Sequence, residues 1–163
     1  MIIRPEAAAD AAAIRALTDA AFAGAPHSDG TEGAIVDRLR AENALSLSLV
    51  AETGREIVGH VAFSPVTVGN AAGWYGLGPV SVRPDLQGTG IGSAMIRDGL
   101  DRLRAVGAPG CVVLGDPGYY GRFGFVPQNG LTFGGKASPY FNALPFGAEP
   151  PSGDAVYHAA FYG

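Results

Sequence analysis

The chain has 163 residues, of which 47% are hydrophobic and 16% charged, and its formal net charge is -4. This composition predicts one globular domain over residues 1–163 and excludes an intrinsically disordered chain. An acidic chain without runs of lysine or arginine offers no electrostatic footprint for nucleic acid or an anionic membrane. We therefore expect neither as a partner.

The numbers and positions of cysteine and histidine residues bear on disulfides and metal sites. The single cysteine, Cys111, excludes an internal disulfide and a cysteine-rich zinc site, and its place in an apolar run favours a buried thiol. Three scattered histidines lack metal-ligand spacing, so no metal is expected. No signal segment opens the chain and no apolar run approaches the roughly 18 residues of a membrane span, which predicts a cytoplasmic protein.

The first half of the chain predicts two helices followed by a β-hairpin. A strand over residues 1–4 is halted by Pro5, and Asp10 is expected to cap a helix that runs to about Phe22. A second helix is predicted over 31–42. Alternating apolar and polar residues predict a strand over 47–52, which a turn at 53–56 joins to a returning strand over 57–68.

The next predicted strand, residues 74–82, has an unusual composition because it contains Gly76, Gly78 and Pro79. Proline cannot donate to a strand ladder, and glycine weakens a strand. A bulge near Gly78-Pro79 explains both, and it would leave backbone groups free to pair with something else.

The second half of the chain predicts a helix, a buried strand and a strand-rich end. The helix begins near Ser93 and ends at Gly107, and residues 111–114 are apolar on both faces, as in a central, partly parallel strand. One or two helical turns are expected in 116–123, strands over 130–133, 140–146 and 155–161, and a loop over 147–153. This order predicts an α/β fold (α+β in some schemes), a mixed central sheet of about seven strands with helices on both faces.

A glycine-rich segment, residues 87–92, lies between the strand end and the helix start. A helix start presents backbone N–H groups and the positive end of the peptide dipoles, and glycines let a phosphate approach the backbone closely. The segment therefore predicts a site for a phosphate-bearing ligand. The alternative is a glycine-rich turn without a ligand.

Spacing narrows the choice of ligand. The dinucleotide fingerprint requires a third glycine where this chain has Ser93, and the P-loop requires a lysine that is absent between Arg83 and Arg97. The remaining pattern, Gln-x-x-Gly-x-Gly after a Val-x-Pro strand end, resembles the pyrophosphate-binding signature of the GNAT superfamily of N-acetyltransferases. The resemblance implies that acetyl-CoA is bound by a set of residues from the strand end and the loop: Val80, Ser81, Val82, Gln87, Gly88, Thr89, Gly90, Ile91, Gly92 and Ser93.

A second segment, Tyr-Tyr-Gly-Arg-Phe-Gly-Phe over residues 119–125, strengthens this resemblance. Tyr120, Gly124 and Phe125 match a GNAT pattern in which the tyrosine protonates the departing CoA thiolate. A phenol is a suitable acid for a thiol leaving group. The alternative is that both tyrosines pack as aromatic core. Together with the Gly-His-Val-Ala-Phe-Ser-Pro strand, these segments are similar to the YhbS-like bacterial branch of the superfamily.

The resemblance implies direct acetyl transfer from acetyl-CoA to a primary amine of unknown identity, without an acyl-enzyme. It also implies that one N–H of the strand, that of Val80 or Ser81, polarises the thioester carbonyl. One position departs from the family pattern: many GNAT members have an asparagine seven residues before the tyrosine, where this chain has Val113. A noncatalytic acyl-CoA-binding or sensing module is the alternative function.

The sequence identifies no general base. Candidates are Asp29, Glu32, Glu52 and His60, but His60 alternates with apolar residues, which favours a hydrogen-bonded sheet histidine, and a charge such as Glu32 suits a helix start in any case. The apolar content of the late strands further suggests a homodimer.

Overall fold

The computed structural model describes residues 1–147 and 149–163. The described residues contain four α-helices and eight β-strands. The helices are α1 (Ala11–Phe22), α2 (Glu32–Ala41), α3 (Ile91–Ala105) and α4 (Pro117–Tyr120). The strands are β1 (Ile2–Pro5), β2 (Leu47–Thr53), β3 (Glu56–Val68), β4 (Ala71–Val82), β5 (Gly110–Leu114), β6 (Leu131–Phe133), β7 (Phe141–Pro145) and β8 (Gly153–Val156).

The strands form one mixed sheet with the order β1-β2-β3-β4-β5-β7, and β8 pairs with both β3 and β6. Strand β5 is parallel to β4 and antiparallel to β7, as its two apolar faces predicted. The predicted mixed α/β sheet is confirmed, with eight strands in place of about seven.

The described residues divide into two compact units: Met1–Phe63 with Gly78–Gly99, and Ser64–Leu77 with Leu100–Gly163. The single domain expected from the sequence stays a prediction.

In the first unit, helices cover both faces of the sheet. Val50 of β2 packs with Ile14 of α1 and Val36 of α2. Its neighbour Leu49 points to the opposite face, where a Cβ atom on Gly99 of α3 would meet it at 3.6 Å. Because successive residues of a strand alternate in direction, β2 is buried on both sides.

In the second unit, the core forms where Trp74 of β4 packs beside the buried strand β5. A Cβ atom at Gly110 would come within 2.4 Å of the Trp74 ring, so a side chain at this position would displace the indole. One cluster of buried core residues in this unit comprises Val66, Val68, Trp74, Val112, Leu131, Phe141, Ala143 and Ala155.

Strand β4 changes its pairing where the sequence predicted a bulge. Its parallel register with β5 ends at Leu77, directly before Gly78-Pro79, whose peptide bond is cis. A two-residue turn at residues 69–70 joins β3 to β4, and at the far end the Arg83 N–H donates to the Val58 carbonyl (2.9 Å). Residues 71–83 number 13, whereas residues 58–68 number 11. Strand β4 therefore has two residues more than its partner, as in a bulged strand.

Three local predictions were wrong. The Asp10 carboxylate makes no capping bond to α1 and instead accepts from the Ala7 N–H and from Arg4, because a 3-10 turn precedes the helix. Helix α3 begins at Ile91 and not near Ser93. The last strand ends at Val156, and a 3-10 segment follows it. In the loop predicted over 147–153, Ala148 lies outside the described residues and Gly153 opens β8.

Candidate functional site

The glycine loop is exposed and leads directly into α3. Residues 87–90 are exposed, and Gly88 and Gly90 have positive φ angles of 78° and 95°, which residues with a Cβ rarely adopt. The Ala94 N–H donates to the Gly90 carbonyl (3.0 Å), so Gly90 is the last residue before the helical ladder. The N–H groups of the first helical turn precede that bond and point out of the helix end.

The helix start consists of Ile91, Gly92 and Ser93, of which the sequence had assigned Ile91 and Gly92 to the loop. Two side chains of the preceding loop form hydrogen bonds to backbone carbonyls. The Thr89 hydroxyl donates to the Leu86 carbonyl (2.5 Å), and the Gln87 amide donates to the Val82 carbonyl (3.2 Å). The second bond joins the loop to the end of β4, and the arrangement suits an anion held by backbone N–H groups.

The position of the helix start depends on a glycine in β3. A Cβ atom at Gly59 would come within 2.8 Å of Met95 and 3.0 Å of Ile91. The missing side chain lets α3 approach β3 closely, and this holds the first turn of α3 at a fixed place beside the sheet.

The end of β4 contains the other predicted ligand residues. Val80 and Val82 are half-buried and Ser81 is buried, and the Ser81 hydroxyl has no hydrogen-bond partner among the described residues. In this first unit the structure therefore brings together all the predicted cofactor-binding residues.

The predicted acid, Tyr120, belongs to the second unit and ends α4. Its helix is short, as expected, and starts at a well-formed cap in which the Asp116 carboxylate accepts from the Gly118 N–H (3.0 Å). The Tyr120 ring makes edge contacts with the Tyr119 ring (5.0 Å between centroids) and the Phe125 ring (6.1 Å).

Burial determines the protonation state of Tyr120. Burial first, and then the neighbouring Tyr119 and Cys111, raise the pKa of Tyr120 to about 12. The phenol therefore keeps its proton at neutral pH and can act as a donor. Cys111 itself is fully buried and burial raises the pKa of its thiol, which excludes it as a nucleophile at neutral pH, as predicted.

Val113, the departure from the family pattern, lies buried in β5 opposite Asn142 of β7. The Asn142 amide nitrogen donates to the Pro139 carbonyl (3.2 Å), and its amide oxygen is buried without a partner among the described residues. Sequence reasoning did not identify this amide, because the strand register that places it beside Val113 has no local signal.

Three of the four candidate bases are carboxylates that are held by neighbouring side chains or backbone groups. Asp29 accepts from both the backbone and the hydroxyl of Thr31, and these bonds lower its pKa. Glu32 accepts from the Ser28 hydroxyl (2.7 Å), and Glu52 pairs with Arg4 (3.2 Å).

The fourth candidate, His60, is fully buried, and its Nε2 lies 2.8 Å from the Ser48 hydroxyl. Its other ring nitrogen, Nδ1, has no partner in the described residues. The expected hydrogen-bonded sheet histidine is therefore bonded on one side of its ring.

Within residues 1–147 and 149–163, no group of three or more His, Cys, Asp or Glu side chains could hold a metal ion. None of the helices in these ranges has the length and apolar character that crossing a membrane requires. The predicted cellular location stays a prediction.

Comparison with known proteins identifies several relatives. The family model for the acetyltransferase (GNAT) family matches residues 12–125. Over 127 residues the chain is 40% identical to the uncharacterized N-acetyltransferase YhbS of Escherichia coli K12, which spans 77% of this chain and 73% of that protein. It is also 34% identical over 135 residues to the uncharacterized N-acetyltransferase YjhQ of the same strain, spanning 80% and 71%.

Two crystal structures are similar over nearly the whole chain. A GNAT family acetyltransferase from Brucella melitensis in complex with acetyl-CoA is 56% identical, with a TM-score of 0.87 over 98% of this chain and 97% of that one. Escherichia coli YhbS in complex with CoA is 31% identical, with a TM-score of 0.90 over 99% and 92% of the two chains.

Proposed function

Because the chain belongs to the GNAT family of acetyltransferases, we propose that it moves an acetyl group from acetyl-CoA directly to a primary amine. The observation that carries this proposal is the exposed glycine loop at the start of α3. The relative from Brucella melitensis, 56% identical, binds acetyl-CoA. The candidate amines are a peptide N-terminus, a polyamine, an amino-sugar and a small xenobiotic amine.

In this proposal the loop residues 87–93 hold the pyrophosphate of CoA through backbone N–H groups. Two features support this role. Gly88 and Gly90 have the positive φ angles that are typical of anion-binding turns, and the 15-residue helix α3 contributes its positive dipole end. No lysine or arginine lies between Arg83 and Arg97, which leaves recognition within this segment to its backbone groups and short polar side chains.

The end of β4 would pair with the pantetheine arm as an added strand. The register with β5 ends at Leu77, and this change of pairing supports the availability of the backbone of residues 78–82. An N–H of Val80 or Ser81 would donate to the thioester oxygen as negative charge develops there. Such a donor is worth about 3 kcal/mol of barrier in comparable sites.

Tyr120 would give its proton to the departing CoA sulfur. The amine nitrogen forms the new C–N bond, the C–S bond breaks, and the sulfur leaves with its electron pair. Support comes from the raised pKa of Tyr120, which keeps the phenol protonated until the thiolate appears. Because the ordinary pKa of a thiol, about 8.5, lies below that of Tyr120, the phenol would first stabilise the developing thiolate by donating a hydrogen bond and would then pass its proton to the sulfur.

The competing function is a noncatalytic acyl-CoA-binding module. A single assay separates the two functions: acetyl-CoA is mixed with a panel of a polyamine, an amino-sugar, a small aromatic amine and a short peptide, and thiol release is followed. We expect amine-dependent thiol release and an acetylated amine by mass spectrometry. Acetyl-CoA binding without release for any amine would favour the binding module.

The binding loop is tested separately by Gly90→Val. A β-branched residue cannot adopt the φ of 95° at this position without strain, so the loop must change shape and CoA affinity should fall at least tenfold. Gly54→Val is the matched control, because Gly54 also has a positive φ (55°) and open space around it but lies in the β2–β3 turn. Calorimetry that finds equal CoA affinity for the two folded variants would contradict the loop assignment.

The proposed homodimer rests on exposed apolar side chains near the late strands. Tyr140, Val156 and Tyr162 are each more than half exposed. We expect a dimer mass by light scattering at micromolar concentration, and a monomer mass would contradict it.

A further inference from the structure

A chain of hydrogen bonds runs through the first unit from Glu6 to the buried histidine of β3. The Arg40 guanidinium donates to both Glu6 carboxylate oxygens, at 2.8 and 3.1 Å. The Ser48 hydroxyl donates to Glu6 Oε1, and the same hydroxyl lies 2.8 Å from His60 Nε2. A carboxylate, a hydroxyl and an imidazole are thus joined in series.

This series fixes the tautomer of His60. Burial raises the pKa of Glu6, but the hydrogen bonds from Arg40 and Ser48 outweigh burial and leave the pKa below its ordinary value. An ionised carboxylate only accepts, so the single hydroxyl hydrogen of Ser48 points to Glu6. The Ser48 oxygen must then accept from Nε2–H of His60. Nδ1 consequently has a free lone pair and no proton.

The free lone pair is buried without a partner. The His60 side chain is completely buried, and leaving a buried acceptor unpaired is costly. We therefore expect Nδ1 of His60 to accept a hydrogen bond or a proton at some step of the reaction.

A second unpartnered polar group lies on the adjacent strand. The Arg83 N–H donates to the Val58 carbonyl (2.9 Å), so the end of β4 that contains Ser81 runs beside the part of β3 that contains His60. The Ser81 hydroxyl is also buried without a partner in the described chain. A donor and an acceptor therefore lie unused on adjacent strands, and one of them belongs to the strand that the proposed function assigns to the thioester.

The charges that act on His60 come from the segment after β1 and from α2. Glu6 favours the imidazolium, Arg40 of α2 opposes it, and burial is the largest influence, lowering the pKa to about 4. The imidazole is therefore neutral in the resting protein. Its lone pair is available at neutral pH.

We propose that His60 is the base of the acetyl transfer, and that its Nδ1 takes the proton the amine nitrogen loses on attacking the thioester, an inference that rests on the proposed function. The new C–N bond forms from the nitrogen lone pair, the N–H electrons stay on nitrogen, and the proton moves to Nδ1. The sulfur leaves with the C–S electron pair and takes the Tyr120 proton. Proton exchange with solvent then restores both side chains.

Ser48 and Glu6 are positioning residues in this scheme. They hold the ring with Nε2 protonated and Nδ1 free, and the Glu6 carboxylate stabilises the imidazolium through the intervening hydroxyl. This division of roles resembles the base and orienting carboxylate of hydrolase triads.

The test compares His60→Gln with His27→Gln, using acetyl-CoA and the panel amine that the parent protein acetylates fastest. His27 lies exposed in the loop between α1 and α2 and serves as the matched control. We expect His60→Gln to lower kcat 10²- to 10⁴-fold, with CoA affinity within twofold of the parent. Its kcat/KM should rise with pH, because hydroxide must replace the missing base, whereas His27→Gln should follow the parent profile.

Two further measurements keep the proposal testable if His60→Gln fails to fold. Nitrogen NMR of histidine-labelled parent protein should show Nε2–H and a bare Nδ1 for His60, and the opposite tautomer would overturn the proposal. Ser48→Ala should lower kcat about tenfold or more and alter the pH profile, and an unchanged profile in the folded variant would contradict the positioning role. A folded His60→Gln with parental kcat contradicts only the base, whereas a parent protein that acetylates no amine contradicts the proposed function.

Discussion

The ring of Tyr120 lies directly against Gly115. A Cβ atom at position 115 would come within 2.4 Å of Cε2 of that ring, closer than any real side-chain contact. Gly115 follows β5, and its N–H donates to the Tyr140 carbonyl (2.8 Å), so the backbone cannot easily retreat. The end of β5 therefore fixes one side of the Tyr120 ring.

Gly115→Ala should displace this ring and lower turnover. The added methyl group must push the phenol away, and a shift of about 1 Å in a catalytic group can cost about 10²-fold in rate. CoA affinity should change little, because the loop residues 87–93 are untouched. Steady-state kinetics with the identified amine, together with calorimetry of CoA binding, measure both quantities.

Gly121→Ala is the control for this variant. Gly121 ends the same helical turn, but a Cβ atom there would meet nothing within 4 Å. If Gly121→Ala keeps the parental turnover and Gly115→Ala loses it, the loss results from the contact between position 115 and the Tyr120 ring. Equal turnover in both variants would show that the position of Tyr120 has no influence on the rate.

Tyr120→Phe should lower turnover by about 10- to 10⁴-fold, the range for loss of a positioned acid, while CoA affinity changes little. The phenyl ring keeps the edge contacts to Tyr119 and Phe125, so the variant removes the O–H alone. Turnover and CoA affinity are measured on the same preparation.

Tyr119→Phe is the internal control for the acid. Consecutive residues on a helical turn point about 100° apart, so both phenols cannot reach one sulfur. The Tyr119 ring contacts Phe123 and the Arg122 guanidinium, which the phenyl ring of the variant preserves. If Tyr119→Phe loses turnover while Tyr120→Phe keeps it, Tyr119 and not Tyr120 would be the residue that protonates the sulfur.

Folding stability should depend on pH through His60. The folded pKa of about 4 lies below the ordinary 6.5, so the unfolded chain binds more protons between these values. Stability is then full above about pH 6.5 and falls as the pH drops toward 4, by up to about 3 kcal/mol. Glu6, whose pKa is also lowered, adds a further loss at lower pH.

Urea unfolding at pH 7 and pH 4.5 measures this dependence. His60→Gln should lose about 2 kcal/mol less than the parent between the two values, since it carries no imidazole to protonate. His27→Gln should lose as much as the parent. Identical losses in parent and His60→Gln would mean that the buried imidazole does not resist protonation.

Much of the glycine loop could be predicted from sequence, because its signals are local. A strand end, two glycines and an amphipathic helix follow one another, and the structure places them in that order. The helix start was wrong by two residues because Ile91 and Gly92 have no capping side chain before them; Gly90 precedes the helix through its backbone alone.

The buried chain from Glu6 to His60 could not be predicted, since its bonds join residues up to 42 positions apart. The Asp10 error has a local origin. The residue type suits a helix cap, but the 3-10 turn before α1 directs the carboxylate to the Ala7 N–H and to Arg4 at 2.7 Å, which lie three and six positions earlier.

The last prediction concerns the buried hydroxyl of Tyr157 and uses Tyr162→Phe as the reference variant. The Tyr162 hydroxyl accepts the Tyr157 backbone N–H (3.1 Å), so its removal breaks a hydrogen bond. Because Tyr162 is 58% exposed, water can replace part of that bond, and we expect a loss of about 0.5 kcal/mol.

Tyr157→Phe should behave in the opposite way and leave the free energy of unfolding unchanged or raise it by about 1 kcal/mol. The Tyr157 hydroxyl is buried and has no partner within the described residues, and burial raises its pKa. The phenyl ring would keep the contacts to Phe133 and Phe161, so the variant removes only a desolvated polar group. Urea unfolding of parent, Tyr157→Phe and Tyr162→Phe at one pH measures the difference. A Tyr157→Phe protein less stable than Tyr162→Phe would mean that the Tyr157 hydroxyl has a hydrogen-bond partner in the folded protein.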